Sequence, residues 1–295
     1  MRYMIFVLTV SLVLTSCGGD EPADSPSQTP PADQPGHGGG SHHGAIVALG
    51  TVKLAGETFT IAREGECAPG KECAFAVSHV GETAPSALYL WVENGAGEQV
   101  STSVQDEGAG GHWHFHVSPQ PDAQPTKVVL RLREGDTDER ASVPLHAGAA
   151  PRNHGICAPI AVTNGQVVGW MELKLHDDKG DLELWLTTDS AMTQPMDISP
   201  ETRITATFPT LGGRTVHLKV RNTGANEDED GKTTMRDGLT NYFIFPGDSG
   251  TDASWLKGGA FKSVVTVTIG QWAATRASPA FVLTPHAHGP GGHDH

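Results

Sequence analysis

The sequence predicts an all-β protein made of two tandem antiparallel β-sandwich domains of immunoglobulin-like type. Short apolar runs recur through residues 44–147 and 157–285, each bounded by Gly, Pro, Asn or Asp. Several alternate strictly: Leu88/Leu90/Val92, Val128/Leu130/Leu132, Met171/Leu173/Leu175 and Leu182/Leu184/Leu186. Period-two alternation marks a strand with one buried face. Helical periodicity is lacking in both regions, which leaves sheet packed on sheet as the architecture.

Residues 1–16 stand apart from this pattern. Met1-Arg2 precedes an apolar run from Met4 to Leu14 that is short for a bilayer span. The run ends in Leu14-Thr15-Ser16-Cys17, an aliphatic residue and two small ones before cysteine. This resembles the lipobox of bacterial lipoproteins. The resemblance implies that residues 1–16 are a signal peptide and that Cys17 becomes the lipidated first residue. Gly18 rather than Asp follows, which by the same family rule implies the outer membrane of a double-membraned cell. Residues 17–43 are rich in Pro, Ser, Asp and Gly and cannot bury enough apolar surface to offset ordering entropy, so they read as a disordered tether. The tether ends in a histidine cluster, His37, His42 and His43.

In the first domain, residues 44–147, strands are expected at 46–54, 59–62, 74–77, 87–92, 112–117, 127–133 and 141–145. Cys67 and Cys73 flank the turn sequence Ala-Pro-Gly-Lys-Glu, which suits a small disulfide at a hairpin tip in an oxidising compartment. Their spacing is wider than the usual zinc knuckle. Cys157 is left over and reads as a small buried apolar residue.

The most informative strand is His112-Trp113-His114-Phe115-His116-Val117, opened by Gly110-Gly111 and closed before Pro119. Alternation puts Trp113, Phe115 and Val117 on a core face and the three imidazoles on the other. Same-face neighbours lie roughly 6.5–7 Å apart. Two of them can converge on one ion at about 2.0–2.1 Å from each nitrogen, while the outer pair cannot. The row is therefore a two-histidine chelate with a spare, whose further ligands are sought in His79, in His146 or in the tails. Neutral imidazole suits zinc and copper.

A linker, residues 148–156, precedes the second domain, residues 157–285. There Met171/Leu173/Leu175 and Leu182/Leu184/Leu186 form a hairpin around Asp177-Asp178-Lys179-Gly180. Further strands are expected at 204–208, 215–220, 241–245, 261–269 and 280–284. The two domains read as distant copies. His43-Gly44 and His154-Gly155 open them, and His112 to His116 sits opposite Asn241-Tyr242-Phe243-Ile244-Phe245. The tail, residues 286–295, holds His286, His288, His293 and His295 among glycines.

A second motif is similar to the twelve-residue calcium loop, with Asn226, Asp228, Asp230, Thr234 and Asp237 at donor positions and Gly231 at position six. Asn at the first position and Asp at the last depart from that pattern.

The net charge of −14, with 15 histidines counted neutral, offers no phosphate-tracking basic stripe and argues against a nucleic-acid partner. No Ser-His-Asp, Walker or Gly-rich phosphate pattern is present, so an enzyme is not expected. His114-Phe115-His116 is faintly similar to the copper strand of copper–zinc superoxide dismutases, but the bridging histidine and zinc loop of that family have no counterpart. The body of the chain is likewise only faintly similar to histidine-rich periplasmic metal-binding sandwich proteins. The expectation is a lipid-anchored envelope protein that binds zinc or copper, with a calcium loop as a further option, and serves an envelope metal transporter. The rival expectation is a structural or adhesive envelope lipoprotein whose sandwich faces bind protein or glycan.

Overall fold

Strand follows strand from Ile46 to Leu283 in the computed structural model, which describes residues 45–81, 85, 88–106, 108–247, 250–270 and 275–286. The protein is all-β. The first half contains β1 (Ile46–Leu54), β2 (Glu57–Glu64), β3 (Cys73–His79), β4 (Leu88–Glu93), β5 (Val104–Asp106), β6 (His112–Val117), β7 (Lys127–Glu134) and β8 (Thr137–Pro144). The second contains β9 (Ile156–Val162), β10 (Val167–Leu175), β11 (Leu182–Thr187), β12 (Arg203–Phe208), β13 (Arg214–Leu218), β14 (Tyr242–Phe245), β15 (Ser263–Gly270), β16 (Arg276–Ala277) and β17 (Phe281–Leu283).

Strand order repeats between the halves. The first lays out β1–β2–β3–β6 against a second sheet β5–β4–β7–β8. The second lays out β9–β10–β11–β14, with β13–β12–β15 following the order of β5–β4–β7. β6 and β14 therefore occupy the same place. Their core faces are Trp113/Phe115/Val117 and Phe243/Phe245. The expected register was one residue off: by face, His112 and His114 correspond to Tyr242 and Ile244.

Each half has its own core. Phe59, Ile61, Phe75, Val77, Trp113 and Phe115 meet Leu88, Leu90, Val128 and Leu130 in one. Leu173, Leu175, Leu184, Leu186 and Phe243 meet Ile204, Phe208, Val265 and Val267 in the other. Burying side chains of this size contributes about 1.5–3 kcal/mol each, and truncating the fully buried Phe115 to alanine costs about 3–5 kcal/mol.

The halves share a seam. β1 and β9 run parallel, Ile46 beside Ile156 and Val47 beside Cys157. Val47 and Cys157 enter the first core while Ala48, Ile156 and Ala158 enter the second. Strands buried on both faces read as continuous apolar runs, as Ile46–Leu49 and Ile156–Ile160 do. One sheet thus passes from β6 through the seam into the second half, and the described residues form one compact unit. The parallel seam brings the starts of β1 and β9 to the same end as the close of β10, where Leu173 pairs with Ile156.

Candidate metal centre

β10 and β11 carry two alternating faces. Met171, Leu173, Leu175, Leu182, Leu184 and Leu186 enter the core. Glu172, Lys174, Glu183 and Trp185 look the other way, with Lys174 directly opposite Glu183 and Glu172 opposite Trp185. His176, two residues beyond Lys174, continues this polar row, and Tyr242 joins it from β14 opposite Trp185. Such a row on an outer strand face would ordinarily be solvated. Here Glu172, Lys174 and Glu183 are buried.

A distant loop supplies the cover and the third donor. Glu229 reaches Lys174, its carboxylate oxygens 2.8 and 2.6 Å from Nζ. His176 Nε2 lies 2.8 Å from Glu183 Oε2 and 3.9 Å from Glu229 Oε2. One nitrogen of His176 and one oxygen from each of Glu183 and Glu229 fall within 4.8 Å of one another. They line a cleft of ≈ 440 Å³ shared with Arg221, Asp181 and Phe245.

The electrostatics favour an ionised Glu183. Burial alone would raise its carboxyl, but hydrogen bonds from His176 and Tyr242 and the charges of His176 and Lys174 bring it below the ordinary value. Tyr242 Oη donates to Glu183 Oε1. Burial, then the Glu183 charge and that hydrogen bond, push the phenol far above its ordinary range, so it acts here as a donor only. A carboxylate fixed by a phenol and facing an imidazole is a ready first ligand for a cation.

The five expected calcium donors of the acidic loop are not gathered around one point. Asn226 is fully buried: its Oδ1 accepts from Arg221 N at 2.8 Å, and its Nδ2 lies 2.9–3.0 Å from Thr234 Oγ1, Thr240 Oγ1 and Tyr242 O. Thr234 is buried with it, its hydroxyl spent on Asn226 O and Thr240. Asp228 caps the loop's own amides, those of Asp230 and Lys232, and Asp230 pairs with Lys232 on the surface. Asp237 is exposed in a left-handed turn residue. The expected donors face opposite ways, and Glu229, at no donor position of that pattern, is the residue that enters the cleft.

On β6, Trp113 and Phe115 are buried while His114 and His116 are exposed. Each imidazole has a neighbour: His112 Nδ1 lies 2.8 Å from Ser78 Oγ, His116 Nδ1 lies 3.1 Å from Glu72, and His114 Nδ1 lies 4.0 Å from Glu64. Burial, then Lys262 and His114, lower the pKa of His112. The third ligands sought in the first half are not there. His112 pairs with Ser78, so its side chain shares the face of Ser78, and the next residue, His79, points into the opposite face. There His79 bonds Glu57 at 2.7 Å and packs on Phe59. His146 packs edge-on to Trp170, and burial, then the Arg63 charge, lower its pKa. Cys67 and Cys73 are disulfide-bonded, with Cα atoms 4.9 Å apart. Cys157 is buried, its thiol pushed up to about 12 by burial and then by the Glu172 charge. Cys17, His37, His42, His43, His288, His293 and His295 lie outside the described residues, while His286 lies at the end of the second cleft treated below.

No family model and no curated protein matches this chain. Among solved structures it is similar to Escherichia coli α2-macroglobulin activated by porcine elastase, at 12% identity over 81% of this chain and 22% of that one, with a TM-score of 0.23. It is also similar to a tetra-tandem repeat from the extending region of a large adhesion protein, at 11% identity over 78% of this chain and 56% of that one, with a TM-score of 0.20. Likenesses at this level attach no activity or partner to the chain. Among the described residues no helix is long and apolar enough to cross a membrane.

Sequence reasoning missed His176, Glu183 and Glu229. The signal it had was the regular placing of Glu172, Lys174, His176 and Glu183 between core leucines, which marks one shared face.

Proposed function

We propose that this is a lipid-anchored, extracytoplasmic protein that binds a divalent transition metal and hands it to a transport system of the cell envelope. The observation that supports the reading most is the convergence of His176, Glu183 and Glu229 donor atoms within 4.8 Å. One imidazole and two carboxylates suit zinc better than copper, since carboxylate oxygens draw the preference toward harder ions. Copper falls to the histidine-only sets on β6 and in the tails. The anchor rests on Cys17 and its lipobox-like setting, and Cys17→Ala should abolish incorporation of labelled fatty acid into the protein.

Zinc titration against a chromophoric chelator tests the reading. His176→Ala should weaken the tightest zinc site at least tenfold, and His112→Ala/His114→Ala/His116→Ala should leave that site unchanged. A His176→Ala variant that holds zinc as tightly as wild type refutes the assignment.

A further inference from the structure

A second histidine pair lies beside the first cleft, near the starts of β1 and β9. His286 forms a parallel bridge with His176, its amide donating to Leu175 O at 2.9 Å. Its ring stacks on His154, with centroids 5.0 Å apart and planes 28° from parallel. Both line a cleft of ≈ 480 Å³ whose wall includes Ala45, Arg152 and Lys174.

His154 is held there by unusual means for a linker. It has a left-handed backbone, φ 62°. The carboxylate of Glu172, fully buried, accepts from Arg152 N at 2.8 Å, Asn153 N at 2.7 Å, Asn153 Nδ2 at 3.0 Å and Gly155 N at 2.7 Å. Gly155 admits no side chain, because a Cβ would come within 2.7 Å of Leu173 O. A buried side chain and an obligatory glycine thus pin the exposed imidazole of His154 against the half-buried ring of His286, which sheet packing does not require.

We infer that His154 and His286 form a second metal site, a two-imidazole chelate for copper(II) or zinc(II). The geometry suits it. Two imidazoles on one tetrahedral ion place their ring centres about 5 Å apart, and turning the exposed His154 ring, whose terminal torsion is soft, brings the nitrogens to bear. The Lys174–Glu229 ion pair stands between this cleft and the first, since Lys174 lines the one and Glu229 the other. The hand-off across that pair rests on the metal reading of the first cleft. The His154/His286 site itself does not.

Imidazole NMR of the full mature chain, with copper(II) ions as the probe, tests the site by reading its two rings directly. The ring signals of His154 and His286 should broaden together below one equivalent. His154→Asn keeps the turn, because asparagine tolerates a left-handed backbone, and it should raise the copper needed to broaden His286 at least tenfold. An unchanged His286 response in that variant, or no response of either ring below one equivalent, overturns the inference. His176→Asn should leave the broadening of both rings intact, and its loss there would overturn the pair as a separate site. Failure of the first cleft's reading shows elsewhere, as zinc affinity insensitive to His176→Ala.

Discussion

Lys174 competes with any metal at His176, Glu183 and Glu229, and removing it should tighten binding. Its ammonium sits 2.6 and 2.8 Å from the two oxygens of Glu229. An ion taking one of those oxygens at about 2.0–2.2 Å comes within a few ångströms of Nζ. If Lys174 stays, a double and a single positive charge at ~4 Å repel by as much as ~8 kcal/mol at an effective dielectric of about 20. If it swings away, it gives up a charge-assisted hydrogen bond worth about 1.5–3 kcal/mol. The protein takes the cheaper course, so the lysine weakens metal binding by about 1.5–3 kcal/mol, roughly 10- to 150-fold. Lys174→Met preserves most of the buried stem and leaves Glu229 to be rehydrated, since that side chain is 35% exposed. Zinc affinity by chelator competition should therefore rise 10- to 150-fold in Lys174→Met. Equal or weaker binding would refute the placing of Glu229 in the metal's ligand set.

Acid should destabilise the protein in two stages. The first begins below the ordinary imidazole value of 6.5, because burial and then Arg63 keep His146 from taking a proton that the unfolded chain accepts; burial, Lys262 and His114 do the same for His112. The second begins below 4.5, because the depressed pKa of Glu183 contributes stability above that value and loses it as pH falls through the folded one. Urea midpoints from about pH 7.5 down to 3.5 check both, and a flat profile through the first stage refutes the His146 account. Glu172→Ala strands the amides of Arg152, Asn153 and Gly155 and should cost about 2–4 kcal/mol in the same assay. Cys157 should resist thiol reagents until the protein unfolds, its thiol being buried and pushed up to about 12, and reaction in the native state would show an opening of the seam. Cys67→Ala/Cys73→Ala should lose about 2–2.5 kcal/mol, the loop entropy of so short a ring.

The all-β class and most strands were legible because alternating runs such as Leu88/Leu90/Val92 declare a buried face locally. β9 was not, since Ile156–Ile160 is apolar at every position and carries Pro159, and nothing local separates a seam strand from a linker. β5 and β16, of three and two residues, are too short for any period to register. The metal group failed for a different reason. His176 and Glu183 lie on one hairpin, but Glu229 is 55 residues from the Lys174 it bonds, and no spacing rule joins them. The loop's acidic pattern drew attention to Asp228 and Asp230, while it is Glu229, between them, that bonds Lys174. His79 illustrates the limit of counting histidines: it sits one residue after Ser78, and that single step moves it to the other side of the sheet.

The repeated strand order makes each half a control for the other. The outward face of β6 carries His112 and His114, and the same face of β14 carries Tyr242 and Ile244. In the first half this face meets Ser78, Ala76 and Ala74 on β3 and Ala62 on β2; His112 is half-buried against Ser78, while His114 and His116, opposite the alanines, are open to solvent. In the second half it meets Glu183 on β11 and Lys174 on β10, and a loop folds over it. One scaffold thus presents an open row of imidazoles once and a covered imidazole–carboxylate group once. A metal on an open pair of nitrogen ligands would exchange quickly with solvent, while one held by a partly covered group with a fixed carboxylate would exchange more slowly. On the proposed reading the two faces would then differ in how fast they exchange a metal, which comparing zinc release from His176→Ala with release from the β6 triple variant would measure.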